Sequence, residues 1–128
     1  MKTEERKQEF RSRTKDFAGL IIRFYMGLDK RREELRVIGR QLIRCGTSVA
    51  ANYRDASRSR SNEEFAAKID LCSQEADETQ LWLELLRDEC GIPASKTDPI
   101  WQEADELISI FVSMSKNTKA KKNLKSET

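Results

Sequence analysis

Histidine is absent from the 128-residue chain. With it go the commonest general base and the Ser-His and Cys-His nucleophile pairs. Cysteine is sparse: Cys45, Cys72 and Cys90 are odd in number, far apart and form no C-x-x-C pair, which argues against a disulfide framework and the usual zinc sites. Glycine (5) and proline (2) are scarce, too few for the turns of a sheet protein this long, so long helices are the economical reading. No apolar run approaches the ~20 residues of a membrane span. The opening MKTEERKQEF is too charged for a secretory h-region. A cytoplasmic protein without a membrane partner is expected. No catalytic or metal site is visible, so a non-enzyme without cofactor is expected too. A metal site built from Glu75, Asp77 and Glu78 would have all its ligands on one helix, with no second Glu-x-x-His helix of the di-iron type.

What remains is charge and periodic hydrophobicity: 36% of residues are charged and 38% hydrophobic, in a length that suits one domain. Four segments carry a helical stripe. The first, about 3–28, places Phe10, Phe17, Ile21, Phe24 and Leu28 on one face once Arg13 or Thr14 fills the gap. Leu20 and Tyr25 widen that face. The second, about 30–57, steps through Leu35, Ile38, Leu42, Cys45, Val49, Asn52 and Ala56, with Tyr53 flanking. Asn52 in that stripe is expected to be a buried structural polar group fixing helix register, in preference to a ligand contact.

The third segment, about 61–90, opens with the capping box Ser61-x-x-Glu64. It then repeats Phe65, Ile69, Cys72, Ala76, Thr79, Leu83, Leu86 and Cys90. Gly91 is placed for a left-handed cap, with Pro93 beyond. The fourth, about 98–116, starts at the Asp98-Pro99 cap and carries Ile100, Ala104, Leu107, Phe111 and Met114. Short links make consecutive helices antiparallel neighbours. The expectation is an all-α, up-down-up-down four-helix bundle over residues 1–116, followed by a disordered basic tail at 117–128 rich in lysine.

Two features exceed what one bundle needs. Leu71, Leu81, Trp82 and Leu85 on the third helix, with Trp101, Ile108 and Val112 on the fourth, lie off the core stripe and are candidates for an oligomer interface. The competing reading is that they only broaden the core. Charge is also divided: residues 1–60 hold 16 Lys/Arg against 8 Asp/Glu, net +8, and residues 61–115 hold 3 against 13, net −10. On the second helix Arg32, Arg36, Arg40, Arg44, Arg54 and Arg58 fall within about 60° of the direction opposite the core, over roughly 39 Å. Such a row offers bidentate donors for phosphates. A solvated face, or pairing with a neighbouring subunit's acidic half, competes with that reading.

The stretch 38–88 carries Gln41-Leu42, Ser48-Val49-Ala50-Ala51-Asn52, Arg58, Ser61 to Phe65, Glu75 and Glu78-Thr79-Gln80-Leu81. In order and spacing it resembles the bacterial four-helix-bundle family named after the 23S ribosomal RNA intervening-sequence protein. Many members carry a Glu-Gly pair after the position of Asn52; here Tyr53-Arg54-Asp55-Ala56 stands instead. The resemblance implies an up-down bundle assembling into a ring-like homo-oligomer, a pentamer, and kinship with the nucleic-acid-binding accessory proteins of diversity-generating retroelements. The expected function is therefore a homo-oligomeric, non-enzymatic binder of nucleic acid, RNA before DNA, using the arginine row. The alternative is a scaffold for a protein partner, with no nucleic-acid binding of its own.

Overall fold

The computed structural model describes residues 3–127, with side chains from Thr3 to Lys121. Four helices follow one another: α1 (Thr3–Met26), α2 (Glu33–Ser57), α3 (Asn62–Asp88) and α4 (Ala94–Glu127). There is no strand among the described residues, and no helix is long and apolar enough to cross a membrane. Each helix packs on its neighbours in the chain, and α1 meets α4 least, closing the bundle.

Local chemistry sets the boundaries. The Lys30 ammonium donates to the carbonyls of Tyr25 (2.7 Å), Leu28 (3.1 Å) and Met26 (3.2 Å) and lies over the Tyr25 ring. It thereby caps the end of α1, so α2 starts at Glu33, later than the spacing predicts. At α3 the Ser61 hydroxyl accepts from the Glu64 amide at 3.1 Å, as expected of the box. The return bond differs: the Glu64 carboxylate accepts from the Arg60 amide at 3.3 Å. Gly91 has φ +76°, the left-handed conformation expected of a C-terminal cap, and the Ile92 amide donates back to the Leu86 carbonyl at 3.0 Å.

The fourth helix is longer than expected at both ends. It begins at Ala94, with the Pro93 carbonyl accepting from the amides of Lys96 and Thr97. Pro99 therefore lies inside the helix, where it leaves the exposed Ser95 carbonyl to solvent. Asp98 is no N-cap; its carboxylate accepts from Arg87 of α3 at 3.2 Å. At the other end, residues 117–127, expected as a disordered tail, continue the helical backbone. Lys and Ala favour helix, and Lys119 reaches Asp70 of α3 at 3.1 Å. The side chains of Lys122 and Lys125, counted in that tail, lie outside the described residues.

The core follows the predicted stripes: Phe10, Phe17 and Ile21; Leu35, Leu42 and Val49; Ile69, Cys72, Leu83 and Leu86; Ala104, Leu107 and Phe111. One position is corrected. Asn52 is half-buried and makes no side-chain hydrogen bond among the described residues, while Tyr53 is fully buried between the rings of Phe10 and Phe111. The α2 stripe runs through Leu35, Gly39, Leu42, Gly46, Val49 and Tyr53. Its two glycines face α1: a Cβ on Gly39 would lie 3.0–3.2 Å from Leu28 and Tyr25, and one on Gly46 2.6 Å from Ile21. Glycine there lets the α1 and α2 backbones approach closely.

Candidate nucleic-acid interface

The six arginines singled out on α2 divide into two groups. Arg32, the residue before α2, bonds Glu34 at 2.7 Å and the Cys90 carbonyl at 3.0 Å, holding the start of α2 to the end of α3. Arg36 pairs with Glu33 one turn back. Arg44 turns toward α3, reaching Glu78 at 3.2 Å and Glu75 at 3.7 Å. Arg40, Arg54 and Arg58 are exposed and pair with no carboxylate among the described residues.

The free arginines are joined by partners that the sequence reading did not single out. Arg11 and Lys15 of α1, one turn apart, face Arg54 and Arg58 across a groove of about 420 Å³ floored by Ala18, Ala50 and Ala51. Arg11 also donates to the Ser57 hydroxyl at 3.1 Å, which fixes it over α2. The close α1–α2 approach at Gly39 and Gly46 brings the two basic rows together, and the alanines leave the long side chains standing above a shallow floor. Among the described residues Asp55 is the one carboxylate in the groove wall, and it reaches toward Lys68 at 3.8 Å.

A second cluster gathers ligand types that fit a metal. Cys45, Glu75 and Glu78 bring donor atoms within 4.8 Å of one another; Asp77 is not among them. The Arg44 guanidinium occupies the middle of this cluster, 3.2 Å from the Cys45 sulfur and bonded to Glu78. It already supplies the positive charge that a cation would bring. Burial and the hydrogen bond to Glu78 push the Cys45 thiol up to about 12, so it is a neutral donor at pH 7 and no thiolate ligand. The chemistry of this cluster is that of an interhelical ion pair.

The off-stripe apolar residues also separate. Trp82, Trp101 and Ile108 pack against the core, and the Trp101 indole donates to Glu84 at 2.9 Å. Leu85 is half-buried. Leu71, Leu81 and Val112 remain 40%, 47% and 40% exposed. Ala67, Leu71, Leu81 and Leu85 share one outer face of α3 at three- and four-residue steps, interrupted by Gln74 and Glu78.

Among curated proteins none matches the chain. A solved structure from Bacteroides thetaiotaomicron VPI-5482, a protein with unknown function from the S23 ribosomal protein family, is 29% identical. It aligns over 86% of this chain and 97% of its own length with a TM-score of 0.76. The family model described as 23S rRNA-intervening sequence protein matches residues 6–121. That span takes in all four helices and both walls of the basic groove, so the chain belongs to the 23S rRNA-intervening sequence protein family.

Proposed function

We propose that this protein is a non-enzymatic, cytoplasmic, homo-oligomeric bundle that binds nucleic acid through the α1–α2 groove. The observation that carries the reading is the convergence of Arg11, Lys15, Arg54 and Arg58 on one groove, with Arg40 further along α2. Unpaired guanidinium groups on rigid helices suit phosphates and track a backbone without reading bases. Arg32, Arg36 and Arg44 are spent on internal pairs, so the contact set is smaller than the row of six. The family's description ties it to ribosomal RNA, which makes RNA the first probe and duplex DNA the second. The test is binding of structured RNA and duplex DNA at two salt concentrations. A steep loss with salt supports the reading; no binding of either at low salt overturns it.

Self-association belongs to the same proposal. The exposed Leu71, Leu81 and Val112 lie on the acidic α3–α4 half, and the α1–α2 half is basic, so a second copy offers opposite charge. In a ring, the fivefold form being the expectation, modest groove contacts add through avidity. Light scattering that returns the mass of one 14.8 kDa chain removes this part. The outer apolar face of α3 also favours a second reading, a scaffold for a protein partner. Stoichiometric recovery of one protein after nuclease treatment, with no nucleic-acid binding by the purified chain, would select it.

A further inference from the structure

The end of the bundle where α1 begins and α2 passes to α3 is open. A cavity of about 490 Å³ lies there, within the size range of small-molecule sites. Arg6 and Lys7 of α1, Arg60 of the α2–α3 link and Lys121 of α4 line it, and among the described residues no carboxylate does. Lys7 shares part of its charge with the exposed Glu4, 3.6 Å away. By contrast, the α1–α2 groove carries Asp55 in its wall, and the cavity at the opposite end of the bundle carries Asp29.

Two aromatic side chains, Tyr53 and Phe65, form part of the lining. Tyr53 is 1% exposed and held between Phe10 and Phe111 at ring distances of 6.0 and 6.2 Å. Its hydroxyl has no hydrogen-bond partner among the described residues. It is not among the fully enclosed polar atoms, so the hydroxyl reaches the open cavity that its side chain lines. Burial pushes the hydroxyl up to about 12, against the pull of Arg11 and Arg6, so at neutral pH it is a proton donor. A matching ligand brings acceptor oxygens, more than one negative charge and a flat apolar portion.

We infer that this end of the bundle binds a phosphate monoester on a molecule that also carries a planar ring, with Tyr53 donating to a phosphate oxygen, Arg6, Arg60 and Lys121 balancing the charge, and Phe65 meeting the ring. A free nucleotide and the phosphorylated end of a strand present the same chemistry. The strand source rests on the proposed groove binding, because Arg58 and Arg60 stand on consecutive stretches of one chain segment between groove and cavity. The free-nucleotide source does not rest on it.

The experiment uses the full chain, with AMP, adenosine and short single-stranded RNA bearing a 5′-phosphate or a 5′-hydroxyl. Expected are saturable binding of AMP, none of adenosine, and about tenfold tighter binding of the phosphorylated strand, as a charge-assisted contact allows. Tyr53→Phe keeps the ring in place and should weaken AMP about fivefold or more. Arg60→Gln, on the exposed link, should do the same without touching the core. Neither should change binding of the hydroxyl-ended strand. Adenosine binding as well as AMP, or strands equal within about twofold together with no saturation by AMP, overturns the inference. Loss of hydroxyl-ended strand binding alone, with AMP still bound, overturns the groove reading and leaves this one standing.

Discussion

Gly46 of α2 faces Ile21 of α1 so closely that a Cβ on the glycine would lie 2.6 Å from Cγ1 and 2.9 Å from Cγ2 of the isoleucine. Both residues are buried, and the branch atoms of Ile21 sit close to its own backbone, so they cannot swing aside. Gly46→Ala should destabilise the bundle. Helix propensity gains about 1 kcal/mol, but overpacking of this kind costs about 1–3 kcal/mol, with the direct overlap placing it at the upper end. Gly19→Ala is the control. Its Cβ would meet only the flexible guanidinium of Arg23, at 3.2 Å, so stability should rise by up to about 1 kcal/mol. Chemical denaturation of the two variants checks the pair; equal and opposite-to-expected shifts would reject the packing argument.

The α1–α4 seam has the least helix contact, and one arginine bridges it. Arg13 Nε and Nη2 donate to the two carboxylate oxygens of Glu103 at 3.0 and 2.8 Å, and Nη2 also donates to Glu106 at 2.8 Å. The hydrogen bond to Glu103 raises the Arg13 pKa further above its already high value, so the charge is fixed at any accessible pH. Bidentate geometry with both partners partly shielded exceeds an ordinary surface pair. A double-mutant cycle on Arg13→Met and Glu103→Gln should give a coupling of about 1 kcal/mol, reduced in high salt. The pair Arg31–Asp29, largely exposed, should give none that is measurable.

Three buried groups set the alkaline limit. Burial pushes the thiols of Cys45 and Cys72 and the phenol of Tyr53 each up to about 12 in the folded chain. In the unfolded chain they ionise near their ordinary values, 9.0 for the thiols and 10.0 for the phenol. The folded state therefore holds protons that the unfolded state releases, and stability falls with rising pH. The contribution is complete below about 9, and it is lost progressively as pH climbs toward about 12. Thermal melts should show a constant midpoint from neutral pH to the onset of thiol ionisation and a decline beyond it. A midpoint that holds through pH 11 would contradict this. Native Cys45 and Cys72 should likewise resist a thiol reagent at pH 8 that modifies the denatured chain rapidly.

The helices, their stripes and the caps at Ser61 and Gly91 were legible because each is a local signal, repeated within one turn or one period. Tyr53 was not. From Leu35, three-four stepping runs equally well through Ile38, Cys45 and Asn52 or through Gly39, Gly46 and Tyr53, and hydrophobicity favours the first because glycine carries no apolar signal. Glycines seven residues apart on one face were the available hint of a close helix approach. The arginine row was legible as a row, but its division was not. Whether Arg44 is free depends on Glu75 and Glu78, more than thirty residues away and on another helix. Arg11 and Lys15 joined the site only through tertiary packing. The full length of α4 was not legible, because a lysine-rich run reads as solvated tail until Asp70 is placed opposite Lys119.

That division of the arginines yields the sharpest test of the basic groove. Arg54 and Arg58 face solvent beside Arg11 and Lys15, so Arg54→Glu with Arg58→Glu should leave the fold intact and weaken nucleic-acid binding by tenfold or more. Each phosphate contact contributes roughly 0.7–0.9 to the log–log salt slope, so losing two should lower that slope by about 1.4–1.8. Arg44→Glu makes the opposite prediction. It places a third carboxylate beside Glu75 and Glu78, where Arg44 now supplies the balancing charge, so it should lower the melting temperature and leave the salt slope of the folded protein nearly unchanged. Arg36, paired with Glu33 but on the outer face, should fall between the two. If Arg44→Glu matched the Arg54/Arg58 pair in binding while melting as the unaltered protein does, the groove would have to be redrawn along the whole row of six.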